Sequence, residues 1–212
     1  MTRAPSWCGV ILAAGESTRM GSDKALLPWP PVVAGAAALS ETFISGSIRV
    51  LSSFTDQVVV VVGKNKANLA PAVYAAGGSL VTNPAPERGQ FSSLQVGLRE
   101  VLTQGRDAAI VTLVDRPPAN AATLRTLRAA FESAPFEVWV AVPEYKGRHG
   151  HPFLAGREMI EAFLKEPPTS TARDVEHRHQ QHILYVSVND LYVTVNVNTP
   201  DDYAALSNTR AT

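Results

Sequence analysis

Apolar residues occur along the chain in short runs that alternate with longer segments of helical periodicity. The clearest run is residues 58–62, five consecutive valines, which is typical of a strand covered on both faces of a parallel sheet. Runs of this kind predict seven strands, at residues 9–13, 57–62, 80–82, 108–114, 138–142, 183–188 and 192–197.

The segments between these runs predict helices at residues 32–51, 66–76, 92–104, 121–132, 157–164, 172–179 and 201–206. Thr171 and Asp174 stand three positions apart, as in a capping box, and favour a helix start at residue 172. Alternating strands and helices predict an α/β fold, a doubly wound and mostly parallel sheet with right-handed crossovers. No repeat or linker interrupts the pattern, so we expect a single domain spanning residues 1–212.

Composition narrows the class of protein. Apolar residues make up 45% of the 212, enough for a large core, and the 19 basic and 19 acidic side chains balance. A neutral chain favours neither nucleic acid nor an anionic membrane as a partner. One cysteine excludes an internal disulfide framework and any CxxC metal site. Because no run approaches the roughly 18 apolar residues of a membrane span, we expect a soluble cytoplasmic protein.

The polar loop after the first predicted strand is suited to phosphate. Small residues such as Gly15 and Gly21 let backbone N–H groups approach an anion closely. Arg19 offers a planar guanidinium that fits phosphate oxygens, and Lys24 offers a point charge. The loop matches neither the Walker A pattern nor the dinucleotide-binding glycine pattern.

Other polar loops follow predicted strands, where ligands bind in sheets of this class. Asp115 comes directly after the strand at 108–114 and is a good position for a metal ligand. The loop 83–93 opens a helix that Ser92 or Ser93 is expected to cap. The segment 196–202 leads from a predicted strand into the last predicted helix.

The chain resembles the MobA-like nucleotidyltransferases over about residues 8–205, nearly its whole length. Five blocks carry the resemblance: Leu12-Ala13-Ala14-Gly15 through Lys24 to Pro28, Asn83-Pro84 with Ser92-Ser93-Leu94, Leu113-Val114-Asp115-Arg116-Pro117, Gly147-Arg148-His149-Gly150-His151-Pro152, and Asn196-Val197-Asn198-Thr199-Pro200. The Gly-x-x-Gly-His-Pro block is closer to the molybdenum cofactor cytidylyltransferase (MocA-like) branch. The resemblance implies a Rossmann-like nucleotidyltransferase fold.

The resemblance also implies a reaction, the transfer of a nucleoside monophosphate to the phosphate of a molybdopterin-type cofactor with release of pyrophosphate. Because the pair Ala13-Ala14 tends to accompany cytosine in this family, CTP is favoured over GTP. The implied catalytic residues are Arg19, Lys24 and Asp115. The implied nucleotide-binding residues are Leu12, Ala13, Ala14, Gly15, Arg19, Lys24, Asn83, Ser92 and Ser93.

The implied cofactor is Mg²⁺, held by Asp115 with Asn196 or Asn198, and the implied acceptor contacts are Arg148 and His151. A molybdoenzyme or its chaperone is the partner expected to receive the product.

Three alternatives stay open. A sugar or alcohol phosphate could be the acceptor, the chain could bind nucleotide without catalysis, or it could be an NAD(P)-linked oxidoreductase. The chain lacks the dinucleotide-binding glycine pattern that an NAD(P)-linked oxidoreductase of this fold would carry.

Overall fold

Ten strands and seven α-helices form in the part of the chain that the computed structural model describes, residues 5–15, 20–21, 23–31 and 41–208. The strands are β1 Trp7–Leu12, β2 Pro28–Trp29, β3 Glu41–Thr42, β4 Gln57–Val62, β5 Ser79–Thr82, β6 Ala108–Leu113, β7 Val140–Tyr145, β8 Arg148–His149, β9 Phe153–Gly156 and β10 Ile183–Ser187. The α-helices are α1 Phe43–Ser52, α2 Lys66–Ala75, α3 Gln90–Thr103, α4 Ala121–Ser133, α5 Arg157–Lys165, α6 Ala172–Arg178 and α7 Pro200–Asn208.

The main sheet has the order β10-β7-β9-β6-β1-β4-β5, with β8 paired to β7. β1 is parallel to β4 on one side and to β6 on the other. β9 is antiparallel to both β6 and β7, and β10 is parallel to β7. The predicted mostly parallel α/β sheet is therefore confirmed. The chain leaves β1 towards β4 and returns to β6, so the strand order reverses between β1 and β6, where ligands bind in open α/β sheets.

Helices cover both faces of the sheet. Alternate residues of β1 point to opposite faces, with Ile11 in one apolar cluster and Val10 in the other. The cluster of Ile11 includes buried residues of α1, α2 and α4, whereas that of Val10 includes buried residues of α3, α5 and α6. The valines of β4 divide between the same clusters, which explains their uninterrupted run.

One predicted strand was wrong, and one predicted helix has a different start. Residues 192–197 form no strand: a 3₁₀ helix spans Leu191–Thr194, begun by the Asp190 side chain, which accepts the N–H of Tyr192 at 3.0 Å. The first predicted helix, 32–51, starts only at Phe43, after a capping box formed by Thr42 and Ser45. Residues 32–40 lie outside the described part of the chain.

The other predicted elements lie within three residues of the observed ends. Four short strands, β2, β3, β8 and β9, were not predicted. α3 begins at Gln90, so Ser92 and Ser93 lie in its first turn instead of capping it. The predicted capping box of α6, between Thr171 and Asp174, is confirmed. Among the described helices, none is both long and apolar enough to cross a membrane.

Candidate active site

A cavity of about 310 Å³ opens at the carboxyl ends of β1 and β6. Backbone hydrogen bonds continue past both strands: Ala13 donates to the Val61 carbonyl at 2.8 Å, and Val114 donates to that of Leu12 at 3.0 Å. The loops after the strands therefore start in fixed positions. This cavity, hereafter the first cavity, is lined by Leu12, Ala14, Gly15, Lys24, Pro86, Gly89, Gln90, Ser93, Leu113, Val114 and Asp115.

Lys24 reaches the first cavity from a short 3₁₀ helix, Lys24–Leu26. Asp23 caps that helix by accepting the N–H of Ala25 at 3.1 Å. The Lys24 ammonium donates to the Asn198 side-chain oxygen at 2.9 Å. Two residues that the sequence placed in one site, 174 positions apart, thus meet in the structure.

Asn65 joins three of the loops at this edge. Its amide nitrogen donates to the Ala13 carbonyl and to the Asp23 carboxylate, both at 2.9 Å. Its amide oxygen accepts the N–H of Gly63 at 3.1 Å. Asn65 was not among the predicted site residues, although it lies just beyond the end of a buried strand, the same signal that made Asp115 a candidate.

The loop after β5 is held by its own side chains. The Asn83 amide donates to the hydroxyls of Ser92 at 2.9 Å and Ser93 at 3.0 Å. Ser92 in turn donates to the Gly89 carbonyl at 2.8 Å. Ser93 lines the first cavity, whereas Asn83 and Ser92 lie behind it and fix the loop that carries Gly89.

A second cavity, of about 600 Å³, adjoins the first. Its lining is Leu12, Arg88, Gly89, Gln90, Phe91, Leu94, Val111, Leu113, Asp115, Arg116, His151, Phe153, Thr169, Ser170, Thr171, Ala172, Arg173, Glu176 and Asn196. Asp115 belongs to the walls of both cavities. Its Oδ1 atom is buried without a hydrogen-bond partner among the described residues. An orphaned carboxylate oxygen at this junction is free to bind a cation or a ligand donor.

The segment from Asn196 to Asn198 is attached directly to Asp115, because the Val197 N–H donates to the Asp115 carbonyl at 2.7 Å. The Asp202 carboxylate accepts the N–H groups of Asn198 at 2.8 Å and Thr199 at 2.9 Å, and these bonds lower the pKa of Asp202. The segment is therefore fixed at both ends, with Asn196 facing the second cavity and Asn198 facing Lys24.

Arg116 brings a positive charge beside Asp115. Its guanidinium donates to the Val193 carbonyl at 2.8 Å, and burial lowers the pKa of Arg116. The Nε atom has no hydrogen-bond partner within the described ranges. Sequence reasoning assigned Arg116 no role, since an arginine between an aspartate and two prolines resembles an ordinary turn residue.

His151 is held in the second cavity by backbone contacts. Its N–H donates to the Val193 carbonyl at 2.9 Å. A Cβ atom added to the preceding Gly150 would lie 1.9 Å from that same carbonyl oxygen, so only glycine allows this approach. Burial, and secondarily the charge of Arg116, lower the pKa of His151 to about 3, so its imidazole is neutral at physiological pH.

The described residues contain no group of three or more His, Cys, Asp or Glu side chains that would hold a metal by themselves. Asp115 with an asparagine oxygen instead suits a cation that takes its other ligands from phosphates and water. Mg²⁺ is bound in this way, through one or two carboxylates together with substrate oxygens. The residues present therefore fit Mg²⁺ as a partner of a phosphate ligand.

Comparison with known proteins agrees with this geometry. The sequence profile of the MobA-like NTP transferase domain matches residues 9–183. The chain belongs to the MobA-like NTP transferase family. The two cavities of this nucleotidyltransferase share five wall residues, and Asp115, the carboxylate among them, lies inside the matched region.

Two relatives cover almost all of this MobA-like protein. It is 29% identical to a molybdenum cofactor guanylyltransferase of Xanthomonas euvesicatoria, over 97% of each chain. It is 22% identical to a molybdenum cofactor cytidylyltransferase of Escherichia coli, over 92% of each chain. Among solved structures, Rv0371c of Mycobacterium tuberculosis superposes with a TM-score of 0.77 at 26% identity, covering 97% of this chain and 98% of that one.

The remaining predicted site residues of this MobA-like protein lie in different places. Leu12, Ala14 and Gly15 line the first cavity, and Ala13 is buried beneath it. Arg148 is exposed on β8 and lines neither cavity. Arg19 lies outside the described residues.

Proposed function

We propose that the chain transfers CMP from CTP to the phosphate of a molybdopterin-type cofactor and releases pyrophosphate. One observation carries this proposal: Asp115 is shared by two adjoining cavities, so a nucleotide in the first and an acceptor in the second would meet at one carboxylate. Family membership supports the transfer chemistry, and the names of relatives that match over nearly their whole length support the acceptor.

The reaction needs positioning and charge neutralisation more than covalent chemistry. An oxygen of the acceptor phosphate attacks the α-phosphorus of CTP and forms a new P–O bond. The bond from that phosphorus to the bridging oxygen breaks, and pyrophosphate leaves with the electron pair. Lys24, fixed by Asn198, is placed to stabilise negative charge that develops at the α-phosphate.

Asp115 and an asparagine from the 196–198 segment would hold Mg²⁺ at the junction. The ion, when bound, supplies positive charge to the phosphate oxygens. Arg116 lies beside Asp115, and both residues line the wall of the second cavity. Arg19, five positions before Lys24 in the sequence, is proposed to bind the β- and γ-phosphates.

Ala14 supports the choice of CTP. It lines the first cavity, where its methyl group occupies space that a glycine would leave to a larger base. The name of the guanylyltransferase relative makes GTP the competing candidate.

A pyrophosphate-release assay with each of the four NTPs tests the proposal. Each nucleotide is combined with Mg²⁺ and one acceptor: molybdopterin, a sugar phosphate or an alcohol phosphate. We expect release with CTP and molybdopterin, at a kcat/KM at least tenfold above that with GTP. Release that depends on a sugar or alcohol phosphate and not on molybdopterin would contradict the acceptor assignment.

A further inference from the structure

Glu176 is a partly buried carboxylate with no hydrogen bond to the described residues, and it lies in the wall of the second cavity. It stands on α6, which is anchored to the core by the fully buried Val175. Arg173, an exposed residue one turn earlier, is the cation whose charge acts on Glu176. Burial raises the pKa of Glu176 because it removes water from the carboxylate. The proposed transfer chemistry does not use this group.

The position of Glu176 along the cavity follows from the cavities on either side. The second cavity shares five wall residues with the first cavity: Leu12, Gly89, Gln90, Leu113 and Asp115. It shares Arg173 and Glu176 with a third cavity of about 300 Å³, which lies beside His149 and Tyr185. Glu176 therefore stands towards the end of the second cavity that is away from the nucleotide.

The chemistry of the lining changes from one end of the second cavity to the other. The cation Arg116 stands at the Asp115 end, and Phe91 and Phe153 give the cavity aromatic walls. Glu176 supplies the acceptor oxygens at the other end, where the exposed Arg173 also contributes to the wall. This order fits a ligand with an anionic group, a flat ring, and N–H donors on the far edge of that ring.

A carboxylate with both oxygens available binds two parallel N–H donors, as it does with a guanidinium. The pterin ring carries such a pair, the N3–H and the 2-amino group, on the edge opposite its substituents. We propose that Glu176 determines specificity for the acceptor by accepting these two N–H groups of a pterin ring. This inference rests on the proposed function, whose acceptor is a pterin phosphate.

Binding of two related ligands tests the role of Glu176 without turnover. The probes are the fluorescent phosphate esters of 6-hydroxymethylpterin and 6-hydroxymethyllumazine, which has a carbonyl where the pterin has its amino group. We expect the unmodified protein to bind the pterin at least tenfold more tightly. A hydrogen bond to a charged group contributes about 1.5–3 kcal/mol, which is a factor of about 10–150.

The variant Glu176→Gln should reverse this preference. Its amide offers one donor and one acceptor, which complement the N3–H and the 2-carbonyl of the lumazine. Glu161→Gln, at an exposed position on α5, is the matched control and should keep the preference for the pterin. A Glu176→Gln protein that still prefers the pterin as strongly as the unmodified chain, or an unmodified chain with no such preference, would overturn the inference.

Kinetics separate this inference from the proposed function. With molybdopterin as acceptor, Glu176→Gln should raise the acceptor KM about 10–100-fold and leave kcat and the CTP KM within about twofold. Glu176→Asp should recover part of the loss. Turnover of molybdopterin with an unchanged acceptor KM in Glu176→Gln would refute the inference alone. Glu176-dependent pterin binding without pyrophosphate release would refute the proposed function alone.

Discussion

Lys24 is the residue whose charge we expect to act most directly on the rate. Its ammonium is held at the first cavity by Asn198, 2.9 Å away, so it needs little reorganisation as charge develops on the phosphate. Lys24→Ala should lower kcat by about 10²–10³-fold, as loss of one fixed charge or donor does in other active sites. Steady-state pyrophosphate release measures this effect.

The control for that variant is Lys165→Ala, which removes an exposed lysine from the end of α5. It should leave kcat unchanged. A Lys24→Ala enzyme with full kcat and a raised KM for CTP would place Lys24 in ground-state binding only and would refute its role in the transition state.

The variant Asp115→Ala tests the assignment of Asp115 as a Mg²⁺ ligand. Its Oδ1 has no hydrogen-bond partner among the described residues, which suits a cation ligand. Asp115→Ala should lower activity by at least about 100-fold and remove the dependence of the remaining rate on Mg²⁺. The measurement is a Mg²⁺ titration of the rate, with Asp201→Ala, at an exposed position of α7, as control. If Asp115→Ala keeps the same Mg²⁺ requirement, the metal site lies elsewhere.

His151 should make the fold sensitive to mild acid. Its pKa in the folded chain is about 3, below its ordinary 6.5, so the unfolded chain binds more protons between these values and stability falls as pH drops below 6.5. At pH 5 protonation of His151 in the unfolded chain lowers the unfolding free energy by at most about 2 kcal/mol, or roughly 4–8 °C in Tm. His151→Gln should therefore lose less Tm than the unmodified chain between pH 7.5 and 5.0.

Other groups also titrate in this range, so the comparison needs a second histidine. His177→Gln, at an exposed position of α6, should lose as much Tm as the unmodified chain. Equal losses in His151→Gln and the unmodified chain would mean that the His151 imidazole is hydrated when the chain is folded.

Candidate site residues could be predicted from the sequence where they lie in a loop that follows a strand. Asp115 and Lys24 were expected at the active-site edge because each lies in a polar loop that follows a predicted strand, and both line the first cavity. Arg116 and Glu176 could not be identified, since their significance depends on what packs against them. Both become notable only when the loop 193–196 and α6 close the second cavity.

At the scale of elements, the active-site edge depends on Asn65, which ties the ends of β1 and β4 to the 3₁₀ helix of Lys24. Asn65→Ala would leave the Ala13 carbonyl and the Asp23 carboxylate without this donor. We expect a loss of about 1–3 kcal/mol in unfolding free energy and a raised KM for CTP. Urea unfolding and steady-state kinetics measure the two effects.

Asn68→Ala, at an exposed position on α2, is the control and should change neither quantity by much. A normal KM for CTP in Asn65→Ala, at the same unfolding free energy as the unmodified chain, would show that the loops hold their positions without this link.

Element prediction succeeded where periodicity was long and failed where it was short. β9, with four residues, has the pattern Phe-Leu-Ala-Gly, which is too short to distinguish from a loop. β9 lies between β6 and β7 because it pairs with both, and these long-range pairings cannot be recognised from a local sequence pattern. The valine-rich segment 192–197 resembled a strand, but no strand among the described residues pairs with it. The Asp190 side chain instead caps a 3₁₀ helix over Leu191–Thr194.

At the scale of the whole molecule, the strand order places loops distant in sequence around one edge. Strand–helix alternation predicted the class of fold and therefore that the carboxyl ends of the strands carry the site. It did not predict the antiparallel β9, which separates β6 from β7 and widens the sheet beside the second cavity.

Nucleotide binding should stabilise the whole fold, since the loops of the first cavity come from β1, β5 and β6. At 100 times its Kd, CTP with Mg²⁺ should add about 2.7 kcal/mol, or roughly 5–10 °C in Tm. Differential scanning fluorimetry with and without CTP measures this. Stabilisation without any pyrophosphate release would favour a nucleotide-binding protein without catalysis, and no stabilisation by any NTP would contradict the nucleotide site.

The mass of the reaction product tests the central claim most directly. The chain is incubated with CTP, Mg²⁺ and molybdopterin, and the pterin product is analysed by mass spectrometry. We predict a product heavier than molybdopterin by one CMP unit less water, formed in equal amount to pyrophosphate. Unchanged molybdopterin, with CTP bound and intact, would contradict the account.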